Sequence, residues 1–91
     1  MKRFRWNNEK NAALQKERGV SFEDVLAAMT AGGLLDVLEH PKRDRYPNQR
    51  IFVVRIEDYA FLVPFTEDGD EIFLKTIIPS RKATRHYLKL V

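Results

Sequence analysis

Apolar residues recur along this chain in two rhythms, and their alternation lays out the elements. Phe4 and Trp6 alternate with Arg3, Arg5 and Asn7, a period of two that predicts a short edge strand. Asn7 or Asn8 then supplies an N-cap, because its side chain accepts a hydrogen bond from the free N–H groups of a first turn. A helix is expected through about Arg18, with Gly19 as its stop. Ser21 followed by Glu23 and Asp24 marks a second helix start. Phe22, Val25, Leu26 and Met29 fall on one face of that helix, and Gly32 and Gly33 end it.

From Leu34 the rhythm becomes strand-like. LLDVLEH alternates imperfectly, while RIFVVRIE, YAFLVPFT and EIFLKTII are rich in β-branched and aromatic residues. HPKRDRYPNQ, with two prolines, reads as a loop. Tight hairpins are expected at Glu57-Asp58 and at EDGD, where Gly69 can take a positive φ. Pro64 falls inside a strand, where its missing N–H is tolerated at an edge or bulge. In the closing IIPSRKATRHYLKLV, Ser80 is the expected N-cap of a last helix. A 100° projection places Arg81, Lys82, Arg85, His86 and Lys89 on one arc and Ala83, Thr84, Tyr87, Leu88 and Val91 on the other. The expected architecture is α+β: helices packed on a four-stranded antiparallel sheet, with a short N-terminal strand and a basic C-terminal helix.

Composition narrows this picture. A chain of 91 residues is expected to form one domain, and six Phe, three Tyr and one Trp can fill a small core. The absence of cysteine excludes a disulfide scaffold and a thiolate metal site, and His40 and His86 lack ligand spacing, so neither metal nor cofactor is expected. His40, beside Pro41, reads as a loop residue. The opening MKRFRWNNEK lacks the apolar run of a signal peptide, and no segment approaches the ~20 apolar residues of a membrane span. A soluble, cytoplasmic protein without membrane contact is the expectation.

The net charge of +3 is unevenly spread. Cations dominate residues 1–18, 42–55 and 75–91, and the last block contains no acid; acids gather at Glu23-Asp24, Glu57-Asp58 and EDGDE. Any one block reads as readily as a solvated surface. Together they predict a basic face suited to an anionic partner.

The opening FRWNNEKNAALQKERGVSFEDV resembles the start of BrnT-type toxins of bacterial type II toxin–antitoxin systems, and the closing IIPSRKATRHY resembles that family's terminal Ile-Ser-Ala-Arg-Lys-Ala-Thr motif. The two segments make up about a third of the chain. The resemblance implies a fold similar to RelE and ParE toxins, an RNA-cleaving activity that inhibits translation, and neutralisation by a cognate antitoxin. It also implies DNA contact only indirectly, through the antitoxin, and leaves room for a homodimer of this chain within the complex. Trp6, Lys10, Asn11, Gly19, Ser21, Phe22 and Glu23 carry over as mainly structural positions, and Arg81, Lys82, Ala83, Thr84 and Arg85 as the terminal motif. The chain departs from the family at Arg18, where histidine is common, and at Pro79, where a small residue is usual.

Metal-independent RNA cleavage requires a base for the 2′-hydroxyl proton, an acid for the leaving 5′-oxygen and cations for the phosphoryl oxygens. Arg81 and Arg85 are the candidate phosphate-holding residues, through guanidinium forks on one face. Imidazole is the side-chain type suited to proton transfer near neutrality, which makes His86 a catalytic candidate on that face. Lys75 is a further catalytic candidate, and Arg50, Lys82, Arg18 and Lys89 are candidate RNA contacts. Against this, a lone histidine near a terminus is more often incidental than catalytic, and a basic face serves an acidic antitoxin segment equally well. Two readings therefore stand: a ribonuclease toxin, and a non-enzymatic module that binds protein or nucleic acid through the same face.

Overall fold

In a computed structural model, residues 2–89 are described. Strand β1 (Arg3–Trp6) leads into helix α1 (Asn8–Arg18), capped by the Asn7 side chain on Lys10 N–H and closed at Gly19. Helix α2 (Phe22–Thr30) begins with a reciprocal cap: Asp24 N–H donates to Ser21 Oγ, and Ser21 N–H donates to Asp24 Oδ2. Asn11 couples the two helices, its Oδ1 accepting from Phe22 N–H at 2.7 Å and its amide donating to Glu23 Oε1 at 2.7 Å. That amide, chiefly, holds the Glu23 carboxyl below its ordinary pKa. The opening motif is thus a device for joining helices, as its structural reading expects.

Strands β2 (Leu34–Glu39), β3 (Gln49–Ile56), β4 (Tyr59–Asp68) and β5 (Glu71–Leu74) form the expected antiparallel meander. The β3–β4 hairpin turns on Glu57 and Asp58, with Arg55 donating to the Glu57 carbonyl and the Asp58 carboxylate; the β4–β5 hairpin turns on Gly69 at φ 62°. The sheet is larger than four strands and not wholly antiparallel. β1 lies parallel to β5 at one edge, giving the order β1-β5-β4-β3-β2, and a short sixth strand β6 (Ile78–Pro79) pairs with β4. EIFLKTII is accordingly two strands rather than one. The break follows from Pro64, whose carbonyl accepts from Lys75 N–H. Its nitrogen points the same way, into the step where β5 leaves β4 and β6 arrives. β4 is therefore an interior strand, not an edge.

The two faces of the sheet are covered differently. Helices α1 and α2 bury one face through Leu14, Val20, Phe22 and Val25 against Phe52, Val54, Val63, Phe65, Ile72 and Leu74. Trp6 stacks on Phe22 at 5.6 Å between centroids, and Phe52 on Phe65 at 3.9 Å. The opposite face holds a smaller cluster, Val53, Ala60 and Ala83 with Leu35, Leu38, Leu62 and Tyr87, to which residues 81–88 contribute Ala83 and Tyr87.

Gly33 fixes how closely α2 approaches β3. A Cβ there would stand 2.7 Å from the Arg55 carbonyl and 2.8 Å from that of Ala28, both backbone atoms. Gly33→Ala is expected to lower stability by about 1–3 kcal/mol by overpacking, read as a lower urea midpoint.

Candidate functional site

The terminal segment starts from β6, with Ser80 N–H donating to the Ala60 carbonyl and Ser80 Oγ accepting from Ala83 N–H. One turn of α-helix, α3 (Arg81–Ala83), widens into a π-helical turn over Thr84–Leu88 and stops at Lys89, which has φ 51°. The regular helix expected here is replaced because so short a segment draws little from its own hydrogen-bond ladder and takes its shape from attachments to the sheet.

Two side chains make those attachments. Buried Thr84 accepts from Ala60 N–H at 2.8 Å and donates to the Ser80 carbonyl at 2.8 Å, fastening the segment to β4. Tyr87 donates its hydroxyl to Asp36 Oδ2 at 2.6 Å, fastening it to β2. A register shift between Leu34 and Asp36 gives β2 an extra residue opposite β3, and both Leu35, in the small cluster, and Asp36, on Tyr87, meet the terminal segment. The Tyr87 hydroxyl, then the Val37 N–H, hold the Asp36 carboxyl below its usual pKa, and the His86 charge acts in the same direction; the carboxylate in turn raises Tyr87. A lowered carboxyl pKa contributes stability above the unfolded value and loses it as pH falls through the folded one. The tether is therefore intact at neutral pH, and on the acid side it loosens only below the ordinary aspartate range.

With Ala83, Thr84 and Tyr87 turned toward the sheet and Leu88 half-buried, Arg81, Lys82, Arg85, His86 and Lys89 are all exposed. The two expected arcs are present; Val91, assigned to the apolar one, lies outside the described residues. Among the described residues none of these five side chains forms an ion pair, whereas Arg3, Arg43, Arg50 and Arg55 each do. The His86 ring meets Tyr87 edge-on at 4.7 Å.

Lys75 follows β5 opposite Pro64 and so shares the sheet face on which the segment lies. Arg50 does not join this group. Register places it with Phe65 on the helix-covered face, where its guanidinium lies 5.4 Å from the Phe65 ring and 2.6 Å from Glu67. Arg18 is also committed elsewhere, donating to the Ile77 carbonyl at 2.7 Å. Asp36 is the site residue that sequence reasoning missed; it reads as an ordinary polar strand position, and its partner is 51 residues away.

An open groove of about 1100 Å³ lies elsewhere, between the end of α2 and the β3–β4 turn. Its cations, Arg18 and Arg55, are held by the Ile77 carbonyl and by Asp58, and Asp24 and Glu57 line it with them. That balance makes it a poorer anion site than the unpaired terminal face.

Thr84→Val keeps the shape of the anchor and leaves the buried Ala60 N–H without its acceptor. The expected loss is about 1–3 kcal/mol, with faster amide exchange in residues 80–88 as its local signature. Comparisons with family models, curated proteins and solved structures found no match to this chain.

Proposed function

We propose that this chain is the toxin of a bacterial type II toxin–antitoxin pair, a ribonuclease similar to the BrnT family and of RelE/ParE-like fold, which cuts RNA without a metal and so inhibits translation. The observation that carries the reading is the terminal segment itself. It is locked to the sheet by Thr84 and Tyr87 and turns Arg81, Lys82, Arg85 and Lys89 outward, with no ion-pair partner among the described residues. A fixed array of unpaired cations is suited to phosphate, because its ordering cost is met by folding rather than by binding.

In this reading Arg81 and Arg85 hold the phosphoryl oxygens. The 2′-oxygen forms a bond to phosphorus as the bond to the 5′-oxygen breaks, leaving a cyclic phosphate and a 5′-hydroxyl. His86 carries the proton, with Asp36 close enough to feel its charge, and Lys75 adds positive potential from the sheet. An antitoxin neutralises the protein by placing acids against Arg81, Lys82 and Arg85, and its own DNA-binding half makes any operator contact.

Expression of the chain alone in bacteria, with and without the adjacent gene product, tests this. Growth arrest with RNA fragments ending in cyclic phosphate, relieved by the neighbour, is the expected result. Arrest with intact RNA transfers the face to a non-enzymatic binding role, and no arrest together with no co-purification at any ionic strength removes the toxin reading.

A further inference from the structure

The terminal segment leaves part of its sheet face open, and Phe73 stands there. It is 41% exposed although it lies in β5, between β1 and β4. Register pairs it with Arg5 on one side and Thr66 on the other, and cross-strand partners share a face. Lys75 is two residues further on, about 7 Å along the strand. Ile78, 40% exposed and paired with Leu62, stands between this patch and Arg81. Arg5 has only a 3.7 Å approach to Glu71, which is shared with Arg3, and Lys75 has no ion pair among the described residues.

A large aromatic ring exposed in the interior of a sheet loses hydrophobic stabilisation that inward-facing Phe52 and Phe65 retain. Arg5 and Lys75 beside it, and the cationic segment beyond, favour a polyanion that also presents flat apolar surfaces. We infer that Phe73 is a stacking platform for an unpaired base, and that the face from Arg5 through Phe73 and Lys75 to Arg81 takes single-stranded RNA in preference to duplex. Stacking needs a base face that is free of its neighbours, which a duplex does not offer, while the flanking cations follow the backbone. The inference rests on the ribonuclease reading and adds the form of its substrate.

The test uses the full chain and a labelled 2′-O-methyl RNA 12-mer, which cannot be cut by its own 2′-oxygen, single-stranded and annealed to its complement. Fluorescence anisotropy is expected to show tighter binding of the single strand. Phe73→Ala should weaken that binding by about 5- to 100-fold, the range for loss of one stacked base, and Phe73→Trp should restore it. Phe73→Trp should leave the unfolding midpoint near that of wild type, and Phe73→Ala should lower it only modestly, since the residue is 41% exposed. An oligomer made abasic at the stacked position should bind wild type and Phe73→Ala alike.

Equal binding of the normal single strand by wild type and Phe73→Ala overturns the platform. So does a Phe73→Ala variant that binds RNA normally but no longer co-purifies with the adjacent gene product, which would give the patch to a protein partner. If RNA cleavage persists in either case, the ribonuclease reading survives. A wild-type protein that binds neither form of RNA at low salt removes both.

Discussion

Replacing Arg81 and Arg85 together by alanine is expected to abolish growth arrest and RNA fragmentation in a protein that remains folded. Each charge-assisted contact to a phosphate contributes about 1.5–3 kcal/mol, so losing both should lower kcat/KM by roughly 10²- to 10⁴-fold. Stability should move by no more than about 0.5 kcal/mol, because both side chains are exposed and the attachments through Thr84 and Tyr87 are untouched. Arg→Lys at both positions keeps charge but loses the planar fork, and an intermediate rate is expected. A double alanine variant that shows unchanged circular dichroism and full toxicity would take these residues out of the mechanism.

Phe22→Ala should have the opposite profile. The ring is fully buried and stacked on Trp6, with Val25 and the sheet residues around it, so truncation is expected to cost about 3–5 kcal/mol. Urea denaturation measures this directly. Activity per folded molecule, assayed at low temperature, should be preserved, since Phe22 lies on the far side of the sheet from the cationic segment. Leu26, which shares its helix stripe, is only partly buried, and its truncation should cost less.

What could be read in the sequence were the features with local causes. Caps at Asn7, Ser21 and Ser80, the turn at Gly69, the meander and the two arcs of the terminal segment all follow from residues within a few positions of one another. What could not be read depends on distant partners. The alternation of Phe4 and Trp6 predicts a strand but carries no information about its neighbour, so the parallel pairing with β5 was invisible. Arg50 and Arg18 looked like free cations because Glu67 and the Ile77 carbonyl, which engage them, are 17 and 59 residues away. Pro64 suggested an edge or a bulge, but β4 is interior, and the sheet accommodates the missing N–H by exchanging one neighbouring strand for another.

The pairing of β1 with β5 joins Arg3 to Glu71 and Trp6 to Leu74, uniting the opening of the chain with a strand formed almost 70 residues later. The intervening segments can pair with their sequence neighbours as they appear, through short hairpins with small closure entropy. The first strand has no such option and must wait, with Phe4 and Trp6 uncovered, until β5 is in place. Closure of this long loop therefore belongs late in folding. Until then the α1–α2 layer lacks the sheet residues Ile72 and Leu74 that complete its core. A chain interrupted before Glu71 would have neither a finished core nor its array of cations, so stability and any activity of the terminal segment would arrive together, in the last steps of folding.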